Sequence, residues 1–240
     1  MALFGDKGGF VEQAIVPEIG AHAAGGRAGK GIFKGGHMPG KGVTLRRGAA
    51  HAKEMGASVP DKPMIFLKAG STATVLRDIP LFHGSKDIHH ELEIALRFGS
   101  TPDASGRLQF DGAAIAIDLT ARDIQAELKK NSHPWTLAKS FKYSCPISAF
   151  ASLPAEIPHF KFELKVNGET RQSGDTHDMV FDFETLRAYV CENFPVEPGD
   201  LLLTGTPSGV AALKAGDKAT AWFESVNGGH QKVSMEWNFR

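Results

Sequence analysis

Hydrophobic and polar residues alternate most cleanly across Phe160–Val166, and Asn167-Gly168 follows at once. Period-two alternation buries one face of a strand, and Asn-Gly supplies the positive φ that a two-residue turn needs, so this stretch predicts a β-hairpin. Residues 219–223 and 232–237 flank Asn227-Gly228-Gly229 in the same way and predict a second hairpin. Shorter apolar runs predict strands at 64–67, at 113–117 ending on Asp118, and at 201–203 after the turn Glu197-Pro198-Gly199-Asp200. Helical spacing predicts two helices. One covers 123–130 with Ile124 and Leu128 on one face; the other covers 183–194 with Phe183, Leu186, Val190 and Phe194 aligned. With no internal repeat and no long linker after residue 60, the pattern predicts one β-rich α+β domain with a few flanking helices.

Residues 89–96 (His-His-Glu-Leu-Glu-Ile-Ala-Leu) also read as a strand. His90, Leu92, Ile94 and Leu96 share one apolar-leaning face, and Glu91 and Glu93 project together from the other. Two carboxylates held so close repel each other unless something positive sits between them. A solvated strand edge carrying two acids satisfies the pattern. So does a hard divalent cation, which takes oxygen ligands and keeps positions for water or substrate.

Composition narrows the function classes. At 240 residues, 42% hydrophobic and 22% charged, the chain suits one soluble domain or two small ones. Its 27 basic and 27 acidic residues balance, which removes the bulk electrostatic case for nucleic acid or a membrane surface as partner. Cys145 and Cys191 are too few for a disulfide framework or a thiolate zinc site and read as buried thiols in a reducing compartment. No run is long enough to span a bilayer and no signal peptide opens the chain, so a cytoplasmic location is expected, with a mitochondrial one as the alternative. The first fifty residues hold 13 of the 27 glycines, with no acid from Gly20 to Ala50 against Arg27, Lys30, Lys34, Lys41, Arg46 and Arg47. Residues 1–50 are therefore expected to form a loosely ordered basic arm or lid approach, and 51–240 the folded domain. A basic, acid-poor leader is also the style of a transit peptide, against which Asp6, Glu12 and Glu18 count.

Other residues add candidate chemistry. Asp118, where an apolar strand gives way to a helix, suits an N-cap or a third oxygen ligand. Arg122 and Gln125 lie one helical turn apart, and a guanidinium beside an amide suits a carboxylate-bearing substrate. His51 and Glu54 have the same spacing, either as an exposed ion pair or as an imidazole oriented by a carboxylate. Lys139 sits in a mostly apolar segment, where it either snorkels to solvent or fixes a positive charge near a developing oxyanion. Gly35-Gly36-His37-Met38-Pro39-Gly40-Lys41-Gly42 approaches a phosphate-cradling loop, but Gly42 stands where Ser or Thr would meet the metal, and nucleotide binding is not expected.

In order and spacing these pieces resemble the fumarylacetoacetate hydrolase family. The resemblance runs from about His51 to Asp217 and rests on Glu91-Leu92-Glu93, Asp118-Leu119-Thr120-Ala121-Arg122-Asp123-Ile124-Gln125, Lys139-Ser140-Phe141, Val166-Asn167-Gly168-Glu169 and Pro198-Gly199-Asp200 leading into Thr204-Gly205-Thr206-Pro207-Ser208-Gly209-Val210. Glu54-Met55-Gly56-Ala57-Ser58-Val59-Pro60 and Cys145-Pro146-Ile147-Ser148 look like the short acylpyruvase or fumarylpyruvate hydrolase branch. The chain departs from the family pattern at Leu45-Arg46-Arg47-Gly48, where relatives carry Gly-x-Asn-Tyr, and at Lys68-Ala69, where they carry Lys-Pro.

The resemblance implies a mixed β-sheet roll or barrel of the fumarylacetoacetase C-terminal type, a homodimer, and 51–240 as a single catalytic domain. It implies Mg²⁺ or Mn²⁺, with Ca²⁺ as a further option, held by Glu91, Glu93 and Asp118. His51 with Glu54 would activate water, Lys139 would stabilise an enolate, and Arg122, Gln125 and Thr206 would fix the substrate's polar ends. The segment bearing His51 and Glu54 would be a lid that orders on substrate. The expected activity is hydrolysis of a C–C bond in an acylpyruvate, a 2,4-dioxo acid of the fumarylpyruvate type. One alternative is decarboxylation or tautomerisation of a 2-oxo acid such as oxaloacetate, and another is a catalytically silent metal-binding protein of the same fold.

Overall fold

The computed structural model describes residues 61–226 and 231–240, together with the backbone of two short strands at 14–16 and 42–43. Among these residues, one sheet has seven strands, in the order Ala151–Ser152, Leu108–Ile117, Leu92–Pro102, Leu201–Leu203, Ala14–Val16, Phe66–Lys68, Gly42–Val43. A second has five, in the order Glu169–Asp175, Phe160–Val166, Lys218–Ser225, Lys232–Phe239, Asp78–Ile79. A three-stranded sheet (Ala211–Leu213, Ile88–His90, Thr120–Ala121) and a two-stranded one (Cys145–Pro146, Ala73–Thr74) complete the β structure. The expected β-rich α+β class is what the structure shows.

Both hairpins form. Phe160–Val166 pairs antiparallel with Glu169–Asp175 across a turn in which Asn167 (φ 53°) and Gly168 (φ 83°) both have positive φ, the geometry that matches strand twist. Lys218–Ser225 pairs with Lys232–Phe239, although the turn at 227–230 lies outside the described residues. The two predicted helices span Arg122–Lys130 and Phe183–Asn193, and a one-turn helix at Thr136–Lys139 lies between them in the chain; in Phe183–Asn193, Asp182 caps the N-terminus by accepting from the Thr185 amide at 2.7 Å.

The main core lies between the two large sheets. Ile94, Leu96, Ile115 and Ile117 from one meet Phe160, Leu164, Phe223 and Trp237 from the other. Each fully buried apolar side chain contributes about 1.5–3 kcal/mol, so this interface holds the sheets at a fixed separation. The far face of the seven-stranded sheet is buried too, under Cys145 and Ile147, which pack on Ala95, Ala114, Ala116, Leu201 and Leu203. The small Ala side chains let that covering layer approach closely. Among the described residues, no helix is long and apolar enough to cross a membrane. Most of the predicted arm 1–50, and with it His51 and Glu54, lies outside the described residues; the backbone at 14–16 and 42–43 pairs with Phe66–Lys68.

Candidate active site

The expected single strand through 89–96 is two strands, and the break falls at Glu91. Ile88–His90 pairs with Thr120–Ala121 and Ala211–Leu213, whereas Leu92–Pro102 pairs with Leu108–Ile117 and Leu201–Leu203. Asp118 occupies the matching break between Ile117 and Thr120, and its amide donates to the Glu91 carbonyl at 2.8 Å. Two chain segments therefore change sheets side by side, and their carboxylates emerge at the crossover. Asp118 is not the N-cap of the following helix: that position is Ala121, with no side-chain cap. Nor are the paired acids solvated, because Glu91, Glu93 and Asp118 have no exposure at all. Each offers a carboxylate oxygen, and these oxygens lie within 4.8 Å of one another.

Three cations stand against these three acids. Lys139 does not snorkel; it is fully buried, with Nζ 3.0 Å from Glu91 Oε2, 2.6 Å from Asp118 Oδ2 and 2.8 Å from Thr120 Oγ1, over the Phe66 ring. Lys68, equally buried, donates to Asp118 Oδ1 at 2.8 Å and to the main-chain carbonyl of Lys139. Arg122 donates to Glu91 Oε1 and, at 2.6 Å, to Gln125 Oε1, so the two residues predicted to act together do meet. Buried charges persist only when paired in this way.

Glu93 is the exception. Its Oε2 accepts from the Gly205 amide at 2.6 Å, but Oε1 is buried without a hydrogen-bond partner. Burial, together with the charges of Asp118 and Glu91, pushes its carboxyl well above the usual carboxylate range. A buried acid in that condition takes up a proton or a cation. The donor set is all oxygen, and the carboxylate oxygens already bonded to ammonium groups retain a second lone pair, so the residues fit a hard divalent ion.

The loop after Leu201–Leu203 closes one side. Thr204 donates through its hydroxyl to the Ile94 carbonyl at 2.9 Å, Gly205 takes φ 97°, and Thr206 is buried next to it. Gln172, reaching in from Glu169–Asp175, donates to Thr206 Oγ1 at 2.7 Å and lies 2.8 Å from His90 Nδ1. Burial holds the His90 imidazole below its ordinary pKa. The structure thus brings together Glu91, Glu93, Asp118, Lys139, Arg122 and Gln125, with Thr206 on the loop that touches Glu93. Sequence reasoning assigned no role to Lys68 or Gln172. The signals for Lys68 were a lysine closing the apolar run 64–67 and its match to the lysine of the family's Lys-Pro pair, whereas a glutamine in a hairpin arm gave none.

A family model for the fumarylacetoacetate (FAA) hydrolase C-terminal domain matches residues 43–233. The mitochondrial oxaloacetate tautomerase FAHD1 of Rattus norvegicus is 42% identical over 191 residues, which cover 75% of this chain and 85% of that protein. The oxaloacetate tautomerase YcgM of Escherichia coli (strain K12) is 40% identical over 186 residues, 73% of this chain and 84% of the relative. Among solved structures, fumarylpyruvate hydrolase from Pseudomonas aeruginosa in complex with Mn²⁺ and pyruvate shares the fold, with a TM-score of 0.68 at 21% identity over 96% of this chain and 89% of its own.

Proposed function

The chain belongs to the fumarylacetoacetate hydrolase family, and on that premise we propose that it is a metal-dependent enzyme that interconverts the enol and keto forms of an oxaloacetate-type 2-oxo acid. The observation that carries this reading is that two relatives, at 42% and 40% identity over most of their lengths, are oxaloacetate tautomerases. It replaces acylpyruvate hydrolysis as the leading expectation. Glu91, Glu93 and Asp118 would hold Mg²⁺ or Mn²⁺. When bound, the ion would supply Lewis-acid polarisation of a 2-oxo group.

The protein's own residues supply the rest. Arg122, partly open to solvent while its guanidinium is anchored on Glu91 and Gln125, would bind a substrate carboxylate with its remaining donors. The Lys139 ammonium, fixed by three oxygens, would stabilise negative charge developing on the enolate oxygen without having to reorganise. Thr206 would donate its hydroxyl hydrogen to a substrate oxygen. Tautomerisation moves one proton from the enol oxygen to the neighbouring carbon and consumes nothing. His51, oriented by Glu54, is the residue we propose as the carrier of that proton.

A second reading, acylpyruvate hydrolysis, is favoured by the same His51 and Glu54 pair, which would instead take a proton from water. A Mg²⁺-supplemented assay with enol-oxaloacetate, acetylpyruvate and fumarylpyruvate separates the two. Accelerated ketonisation of enol-oxaloacetate, lost in Lys139→Met, supports the tautomerase. Cleavage of a 2,4-dioxo acid without effect on enol-oxaloacetate supports the hydrolase. No turnover of any of the three leaves the silent metal-binding protein.

A further inference from the structure

Gln172 sits on the hairpin arm Glu169–Asp175, fully buried, 82 positions along the chain from His90 and 34 from Thr206. All four of its hydrogen-bonding positions are filled. Its carbonyl Oε1 accepts from the Leu92 amide at 2.9 Å and from His90 Nδ1 at 2.8 Å. Its Nε2 donates to Thr206 Oγ1 at 2.7 Å and to the Pro207 carbonyl at 2.9 Å. Two of these partners have no choice of role: a main-chain N–H only donates and a main-chain carbonyl only accepts. The amide orientation follows from them alone, and the other two contacts inherit their direction. His90 must carry its hydrogen on Nδ1. Thr206 must receive a hydrogen, so its own hydroxyl hydrogen points elsewhere.

We infer that Gln172 is a positioning residue that sets the polarity of the Thr206 hydroxyl, committing it as a hydrogen-bond donor to the carboxylate or 2-oxo oxygen of the substrate. A free threonine hydroxyl can rotate to give or to receive. One whose oxygen already accepts from a fixed amide offers an anionic oxygen a donor and does not turn its lone pairs on it. The same amide ties the strand of Leu92, next to Glu91 and Glu93, to the loop of Gly205, whose amide holds Glu93. The polarity and the placement of Thr206 are thus fixed by one group that does not touch the substrate. The inference rests on Thr206 being a substrate contact, as proposed above.

The test is a double-mutant cycle on pyruvate binding to the Mg²⁺-saturated protein, read by calorimetric titration. Thr206→Val removes the donor and is expected to weaken pyruvate about tenfold or more, as for a hydrogen bond to a charged group. Gln172→Glu keeps the shape but replaces the N–H donors with acceptor oxygen, so Thr206 would turn its hydrogen to the new carboxylate. A similar weakening is expected, and KM should rise more than kcat falls. In the Thr206→Val background, Gln172→Glu should cost almost nothing further. Full additivity would overturn the inference, because Gln172 would then act by packing rather than through the hydroxyl. Thr206→Val with unchanged affinity would instead refute the substrate contact itself. If circular dichroism shows that Gln172→Glu does not fold, Gln172→Met takes its place in the cycle. That variant loses the donor without reversing it; non-additivity with Thr206→Val again supports the inference, and full additivity again overturns it. Mg²⁺ affinity, measured separately on the uncharged Gln172→Met, is expected to change little, because that variant adds no charge and removes no ligand atom.

Discussion

Lys68 and Lys139 share one carboxylate: Lys68 Nζ lies 2.8 Å from Oδ1 of Asp118 and Lys139 Nζ lies 2.6 Å from Oδ2, with all three side chains wholly out of solvent. Lys68 also holds the main-chain carbonyl of Lys139, so the first ammonium positions the backbone that carries the second. Removing one member of a buried ion pair leaves a charge uncompensated, at a cost of about 3–5 kcal/mol. Lys68→Met is therefore expected to lower Tm markedly in EDTA. A divalent ion would take over the missing positive charge, so Mg²⁺ should raise the Tm of this variant more than that of the native protein. Equal Tm values for the two proteins in EDTA would remove Lys68 from the charge balance of the site.

Glu93 makes the opposite case. Its Oε1 has no hydrogen-bond partner, and burial together with two neighbouring acids disfavours its charge. Glu93→Ala is expected to abolish divalent metal binding in calorimetry, because it deletes the oxygen that no protein donor satisfies. Glu93→Gln removes the unfavourable charge at nearly constant shape, and at pH 8 in EDTA it should be at least as stable as the native protein. Unchanged Mg²⁺ affinity in Glu93→Ala would refute the proposed ligand set.

The residues legible in the sequence were those with a periodic or motif signature. Asn167-Gly168 announced its hairpin, and the spacing of Leu186 and Val190 announced the helix Phe183–Asn193. Glu91, Glu93 and Asp118 were legible as a group through the family pattern alone. Their surroundings were not. Alternation predicts one buried face, yet Leu92 through Leu96 are buried on both, because residues 145–147 cover the side that would otherwise meet water. That covering layer comes from about fifty positions away and leaves no trace in the local pattern. Lys68 and Gln172 escaped for the same reason: each is ordinary among its neighbours and gains its role from partners 34 to 82 positions distant.

Gly209 links the loop of Thr206 to the strand of Gln172. Its φ is 96°, and a Cβ there would stand 1.8 Å from the main-chain oxygen of Arg171. Neither the backbone conformation nor the space admits a side chain. Gly209→Ala should force the loop off the strand and cost at least about 2 kcal/mol of stability, from strain plus overpacking. Chemical denaturation measures the loss, and a change within about 0.5 kcal/mol, the range of an ordinary surface substitution, would show that the loop tolerates displacement.

Cys145 tests whether the covered face of the seven-stranded sheet is as closed as its packing implies. The thiol is fully buried against Ala95, Ala116 and Leu203, and burial pushes it up to about 12 although Lys68 pulls the other way. At pH 8 the thiolate fraction of such a group is about one part in ten thousand, and alkylation requires the thiolate. Cys191, half-buried on the helix Phe183–Asn193, is raised as well but is reachable. Iodoacetamide at pH 8 should therefore modify Cys191 first and leave Cys145 intact until the protein unfolds, as peptide mapping by mass spectrometry would show. The distinction bears on the metal proposal, since a thiolate beside Glu93 and Asp118 would add a soft ligand and favour zinc over magnesium. A neutral Cys145 keeps the donor set to oxygen, and its labelling should be equally slow with and without Mg²⁺. Labelling of native Cys145 as fast as Cys191 would mean that the face opens, and that the carboxylates beneath it are not sealed from that side.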